Sequence, residues 1–242
     1  MASVTKGVVL AGGSGTRLLP LTLEVPKPLI TVKKTPLINY NLSLFQKHGV
    51  RDAKVIIRPS DRKEYDRWLR EYQGSFPGMR IELVEEPEPM GTMGYVFRHL
   101  REWMGSENIF VTNGDDIKEI DLGAMAAFHG HANVLATVAL MTMEKPDDCG
   151  TVLVKEDKVV EFVEKKTGLP ASPVSAGMYL ISPAAIKHMA GVISPEKKFL
   201  MFENDFFPVL AVERRLGGFV CPGTFFDCGT FERWHRAIRE VP

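Results

Sequence analysis

The sequence is poor in cysteine, in long apolar runs and in any excess of charge. Its three cysteines, Cys149, Cys221 and Cys228, form no Cys-x-x-Cys pair. That argues against a disulfide framework or a structural zinc site and fits reduced thiols in cytoplasm. No stretch approaches the ~18 apolar residues of a membrane span, and the run at residues 7–11 is too short for a signal-peptide core. Lysine plus arginine number 30, as do aspartate plus glutamate, so no global basic field exists to hold nucleic acid. A cytoplasmic protein without membrane or nucleic-acid partners is expected. Repeats, low-complexity tracts and Pro/Ser linkers are absent too, so one domain is expected over residues 1–242. With 45% hydrophobic residues, a chain of this length buries its own core.

Strand-like and helix-like segments alternate through the first two-thirds. The apolar β-branched run at residues 7–10 reads as a buried strand, as does 53–57, and 80–84, 108–112 and 134–143 read as further strands. Helical patterns fall at 36–48, 60–72, 94–103 and 122–131, with Gly49 stopping the first and Asp61 with Glu64 resembling a capping box before the second. This order predicts an α/β fold: a Rossmann-like, mostly parallel sheet with helices on both faces. After residue 147 the texture changes to short strands at 151–154, 159–163 and 178–181, an antiparallel lid. A helix near 206–213, a strand near 219–220 and a closing helix at 230–240 follow. The expected halves are 1–146 and 147–242. Ligands of such sheets sit beyond the carboxyl ends of the strands, where the polar loops 12–20 and 113–116 fall.

The loop after the first strand carries Gly12, Gly13 and Gly15, which let successive backbone N–H groups approach an anion. Two familiar phosphate loops fail on spacing: G-x-G-x-x-G from Gly13 needs glycine where Leu18 stands, and G-x-x-x-x-G-K-[ST] from Gly12 needs it where Arg17 stands. What remains is a glycine turn, then Arg17 for bidentate phosphate contact, then Lys27 as a point charge between Pro26 and Pro28.

Residues 12–18 with Pro26-Lys27-Pro28-Leu29 resemble the signature of the sugar-1-phosphate nucleotidylyltransferases, the nucleoside-diphosphate-sugar pyrophosphorylases. Further matches follow in family order along nearly the whole chain. Pro89-Met90-Gly91-Thr92 resembles the second nucleotide loop, and Asn113-Gly114-Asp115 the metal-binding Gly-Asp. Glu164-Lys165 resembles the sugar-phosphate Glu-Lys-Pro, and Asp227-Cys228-Gly229-Thr230 the late Asp-x-Gly-Thr. The resemblance implies nucleotidyl transfer from a nucleoside triphosphate to a sugar-1-phosphate, yielding a nucleotide-sugar and pyrophosphate. The attacking phosphate oxygen is already anionic, so catalysis rests on alignment and charge neutralisation rather than on a general base.

By the same resemblance Asp115 and Asp227 hold Mg²⁺, the one cofactor implied. Arg17 grips the triphosphate and Lys27 neutralises charge as the new bond forms. Leu10, Ala11, Gly12, Gly13, Gly15, Thr16, Glu86, Gly91 and Thr92 line the nucleotide. Lys165 and Glu164 hold the sugar phosphate and its hydroxyls, with Gly150 and Gly177 against the sugar ring in the lid. Lys166 stands where the family has proline, which bears on the rigidity of that loop. Asp116 reads three ways: metal contact, sugar-hydroxyl acceptor or exposed residue. Asn204 and Asp205 are given no chemistry, and His129 and His131 read as solvated. Thr230 is better placed than Asp227 to cap the closing helix.

Glu86 aligns where thymidylyl and uridylyl members carry glutamine. A carboxylate only accepts, and guanine offers adjacent N1–H and N2–H₂ donors, so GTP is favoured. Neither the sugar nor the oligomeric state is specified, and a homo-oligomer is compatible with the sequence. One rival keeps the fold but transfers cytidylyl groups to phosphocholine or another small phosphorylated alcohol, with Tyr179, Phe225, Phe226 and Trp234 offered as an aromatic cage. A second is a nucleotide-sugar sensor without catalysis. It would be expected to lose a metal carboxylate or phosphate cation, and none of these is missing.

Overall fold

A computed structural model of the chain describes residues 4–143, 151–163 and 172–242. The α/β class expected from the alternation is observed, with a mixed, mostly parallel sheet. Backbone proximity divides the chain into two compact units. One comprises Thr5–Glu88, Thr112–Glu119 and Gly223–Pro242; the other comprises Met1–Val4, Pro89–Val111 and Ile120–Pro222.

In the first unit, Lys6–Leu10 pairs in parallel with Asp52–Ile57, which pairs in parallel with Arg80–Glu85. Val8, Val9, Val55 and Ile57 are wholly buried, the pattern of strands covered on both faces. Leu37–Lys47 and Arg62–Tyr72 are the helices between them. Asp116–Lys118 and Phe225–Asp227 form a separate antiparallel ribbon in which Asp227 stands opposite Asp116. Leu18, Ile30, Val32, Leu37, Ile117, Phe226, Cys228 and Ala237 form one buried cluster, so the glycine-loop segment, the ribbon and the closing helix share a core. Thr230 caps that helix, Phe231–Glu240, by accepting from Arg233 N–H.

The second unit orders its strands Ile109–Asn113 (through Val111), Ser172–Ile181, Ala136–Met143, Leu216–Val220, Lys158–Val163 and Thr151–Lys155. The antiparallel strands expected after residue 147 extend this sheet through Leu216–Val220, which runs parallel to Ala136–Met143.

Three local expectations are corrected. Asp61 makes no capping bond, because Arg58 and Ser60 occupy its carboxylate instead. The helix expected at 94–103 starts at Gly91 and breaks at Leu100 into Gly91–His99 and Arg101–Met104. The strand expected at 178–181 is Ser172–Ile181, with a register shift between Ser175 and Tyr179 where Gly177 has φ +62°. A helix absent from the expected elements spans Pro183–Met189, capped by Ser182 and opened by Pro183.

His129 is buried rather than solvated, its Nδ1 2.8 Å from Thr137 Oγ1. Burial lowers its pKa from 6.5 to about 4. The fold therefore refuses a proton that the unfolded chain accepts below pH 6.5, and stability falls with pH from there towards pH 4. Measured by urea unfolding at pH 7 and pH 4, His129→Gln is expected to lose less stability than the parent, by on the order of 3 kcal/mol. Equal losses in the two proteins would remove this account.

Candidate active site

Three adjacent parallel strands end together in the first unit. Ala11 N–H donates to Ile56 O and Glu86 N–H to Ile57 O, so Gly12, Arg58 and Glu86 lie just beyond the strand ends. A Cβ on Gly12 would stand 3.3 Å from Glu86 Oε2 and 3.8 Å from Arg58 Cγ. Glycine thus leaves room for the carboxylate beside the loop backbone. Tyr65, wholly buried, donates its hydroxyl to Ala11 O at 3.2 Å and pins the start of the loop. Gly13 is open on its Cβ side. Gly15 has φ +59°, and its carbonyl accepts from Thr22. A side chain there would press on Thr22 and Lys27.

The loop and the ribbon converge. Lys27 Nζ lies 2.6 Å from Asp115 Oδ2, joining residues 88 positions apart. The lysine is buried and Asp115 is partly open. Gly114 N–H donates to Leu10 O, and a Cβ there would meet Val9 Cγ1 at 2.8 Å. Only glycine therefore lets Asp115 follow so closely on the end of the first strand. Asp227, opposite Asp116 in the ribbon, accepts from Gly229 N–H at 2.7 Å and pairs with Arg233. A Cβ on Gly229 would stand 2.9 Å from Arg17 Nη2, so Arg17 lies over the Asp-x-Gly-Thr turn. Arg17, Lys27, Asp115 and Asp227 are thus brought to one edge by the loop and ribbon; Thr16 stays exposed on the loop.

Asp116 is not exposed. Its Oδ1 lies 2.5 Å from Lys118 Nζ, and both side chains are buried. Burial pushes its pKa up to about 7 against the pull of Lys118. Lys118 also donates to Thr112 Oγ1 at 2.8 Å, and Thr112 donates to Asn41 Oδ1. Asn41 Nδ2 in turn donates to the Asp116 carbonyl. Asn41, Thr112, Lys118, Tyr65 and Arg233 were not singled out from sequence. Nothing in local spacing marks them, since each matters through a partner distant in the chain or hidden from solvent. Beside them the Cys228 thiol is buried, its pKa pushed up to about 12 by desolvation.

In the second unit Gly91 has φ +78°, and a Cβ would stand 2.3 Å from Leu200 O. The Thr92 hydroxyl donates to Glu203 Oε2 and accepts from Phe202 N–H, while Tyr179 donates to Glu203 Oε1. Thr92 is therefore engaged within its own unit, and Glu203, unremarked in the sequence, is the hub. Asp205 accepts from Met201 N–H and pairs with Lys197. Gly177 lies in the irregular stretch of Ser172–Ile181. Gly150, Glu164 and Lys165 fall outside the described residues.

Across residues 6–242 the chain matches a family model described as nucleotidyl transferase. It belongs to the nucleotidyl transferase family. As a member of that family it is 33% identical over 229 residues to "Mannose-1-phosphate guanylyltransferase catalytic subunit beta" of Danio rerio, covering 93% of this chain and 61% of that protein. The chain thus spans about three fifths of the length of such curated relatives. Solved structures share the fold: HddC from Yersinia pseudotuberculosis complexed with GMP-PN has TM-score 0.80 at 22% identity, covering 98% of this chain and 100% of that one. UDP-glucose pyrophosphorylase complexed with UDP-glucose has TM-score 0.79 at 19% identity, covering 98% of each. No helix among the described residues is long and apolar enough to cross a membrane.

Proposed function

We propose that this nucleotidyl transferase moves a guanylyl group from GTP to a sugar-1-phosphate, giving a GDP-sugar and pyrophosphate. The convergence of Arg17, Lys27, Asp115 and Asp227 on one edge carries the reading, because several phosphates meeting there need cations and metal-binding carboxylates. Family membership and the guanylyltransferase relatives support it. The Glu86 carboxylate beside Gly12 is the argument for guanine.

A sugar-phosphate oxygen attacks the α-phosphorus of GTP, a new P–O bond forms, and the α–β bridging bond breaks to release pyrophosphate. No proton needs to be removed from the attacking phosphate. The glycine-loop N–H groups and Arg17 hold the triphosphate, and Lys27 releases Asp115 to meet the reacting phosphates. Among the described residues no group of three or more His, Cys, Asp or Glu is arranged for a metal. Two carboxylates completed by substrate phosphates are, however, a donor set that suits Mg²⁺. Asp115 and Asp227 would hold the ion, which supplies charge neutralisation when bound.

The phosphocholine rival loses three of the four aromatics of its cage. Tyr179 packs against Phe202 and Phe207 with its hydroxyl on Glu203, while Phe226 and Trp234 belong to the core beneath the ribbon. The deciding measurement is pyrophosphate release, crossing GTP, UTP, dTTP, CTP and ATP with mannose-, glucose-, heptose- and N-acetylhexosamine-1-phosphates and phosphocholine, with and without Mg²⁺. Metal-dependent turnover of GTP with one sugar-1-phosphate is expected. Turnover of phosphocholine, or nucleotide binding without turnover, would overturn the reading in favour of one rival or the other.

A further inference from the structure

Asn41 sits in the middle of the helix Leu37–Lys47 and is almost wholly buried, with 1% of its surface exposed. Helix propensity and apolar burial both disfavour asparagine there, so its two polar ends need partners in the fold. They find them at the two ends of one turn. The amide nitrogen donates to Asp116 O at 2.9 Å and, more weakly, to Leu37 O at 3.3 Å. Both partners are carbonyls and only accept, which fixes the orientation of the amide and leaves Oδ1 to accept from the Thr112 hydroxyl at 3.2 Å. That hydroxyl also accepts from Lys118 Nζ at 2.8 Å. Within the turn, Gly114 N–H is anchored on Leu10 O. Asp115 thus lies between two held residues, Gly114 on the first strand and Asp116 on Asn41. Asp116 in turn stands opposite Asp227 in the ribbon. One buried side chain therefore grips the backbone of the residue that both adjoins Asp115 and faces Asp227.

We infer that Asn41 is a positioning residue for the two metal-binding carboxylates, acting through the Asp116 backbone to hold Asp115 and Asp227 at the spacing the ion requires. The inference rests on the metal reading above. An ion shared by two carboxylates from different segments needs a fixed separation between them, because Mg²⁺ demands near-ideal octahedral geometry. The ribbon sets that separation only while Asp116 keeps its place. Groups that hold metal ligands in this way commonly change metal affinity by about 10-fold or more when removed. Asn41 is buried and acts on a ligand only through that backbone. Nucleotide held by the glycine loop without metal should therefore not register its loss.

The test is GTP binding by calorimetry, in EDTA and with Mn²⁺, for the parent, N41L, N41S and N39L, with unfolding midpoints recorded alongside. The parent should bind GTP more tightly with Mn²⁺ than in EDTA. N41L, close in size to asparagine, is expected to keep the parent's affinity in EDTA and to cut the gain from Mn²⁺ by about 10-fold. N41S, whose short hydroxyl cannot reach both ends of the turn, should give the same split if N41L fails to fold. N39L is the control for losing a buried asparagine as such. Asn39 lies on the same helix, is 5% exposed and accepts from Trp68 Nε1 at 2.8 Å. Its variant should lower the midpoint and keep the full gain from Mn²⁺. A parent-like gain in N41L or N41S, or an equal fall of affinity in EDTA and with Mn²⁺, would make Asn41 part of the scaffold and overturn the assignment. A matching loss of the gain in N39L would overturn it too. A parent whose GTP affinity ignores Mn²⁺ would instead remove the metal reading itself, so the two failures are distinguishable.

Discussion

Asp227→Asn is expected to lower kcat by on the order of 10²- to 10³-fold with GTP and sugar-1-phosphate saturating, the scale of losing one group that stabilises transition-state charge. Asp227 sits opposite Asp116 in the ribbon, with Arg17 lying over the following Gly229. Removing its charge takes an anionic oxygen from the proposed metal site and adds a donor where phosphates gather. The fold should barely register the change. Asparagine keeps an oxygen to accept from Gly229 N–H, and the ion pair lost is the partly exposed one to Arg233, worth about 1 kcal/mol or less. The paired measurement is therefore steady-state turnover and the unfolding midpoint. Turnover near the parent's would remove Asp227 from the chemistry. A matching collapse of the midpoint would make its role structural.

Lys118→Met should produce the opposite signature, a large loss of stability. The ammonium is fully buried and holds Asp116, Thr112 and the Asn113 carbonyl. Methionine fills the space but leaves buried Asp116, whose pKa already stands at about 7, without its counter-charge; measured at pH 9, where the parent's carboxylate is ionised, breaking a buried pair on one side costs about 3–5 kcal/mol. For a chain of this size that corresponds to a fall of roughly 6–20 °C in Tm. The double variant Asp116→Asn/Lys118→Met removes both charges and should recover much of the loss, giving a coupling well above that of independent sites. A Tm for Lys118→Met within about 2 °C of the parent would show that the pair contributes no net stability.

The fold was legible where the signal is local. Apolar runs closed by glycine or proline located the strands Lys6–Leu10, Asp52–Ile57 and Ile109–Asn113 to within a residue, because burial on both faces demands such runs; the edge strand Arg80–Glu85, buried only at Ile81, was located as closely. Errors fell where one local pattern competes with another partner. Asp61 reads as a helix cap by spacing, yet Arg58 takes its carboxylate. His129 reads as solvated in a helix of small residues, yet it faces Thr137.

By itself the sequence determined the α/β class, the glycine loop and the identities of Arg17, Lys27, Asp115 and Asp227 as the groups to watch. The class, the loop, Arg17 and Lys27 follow from residue type and short-range spacing, and Asp115 and Asp227 from the resemblance of their motifs; an extended or folded chain carries both equally. Only the tertiary structure decided that Lys27 meets Asp115, that Asp227 stands opposite Asp116, and that Asp116 turns inward to Lys118. It alone set Arg58 and Glu86 beside Gly12. The first two pairings join distant positions through the sheets and loops, and the third, between near neighbours, is set by the cost of burying a charge without a partner. Neither the sheets nor that cost exists until the chain is folded.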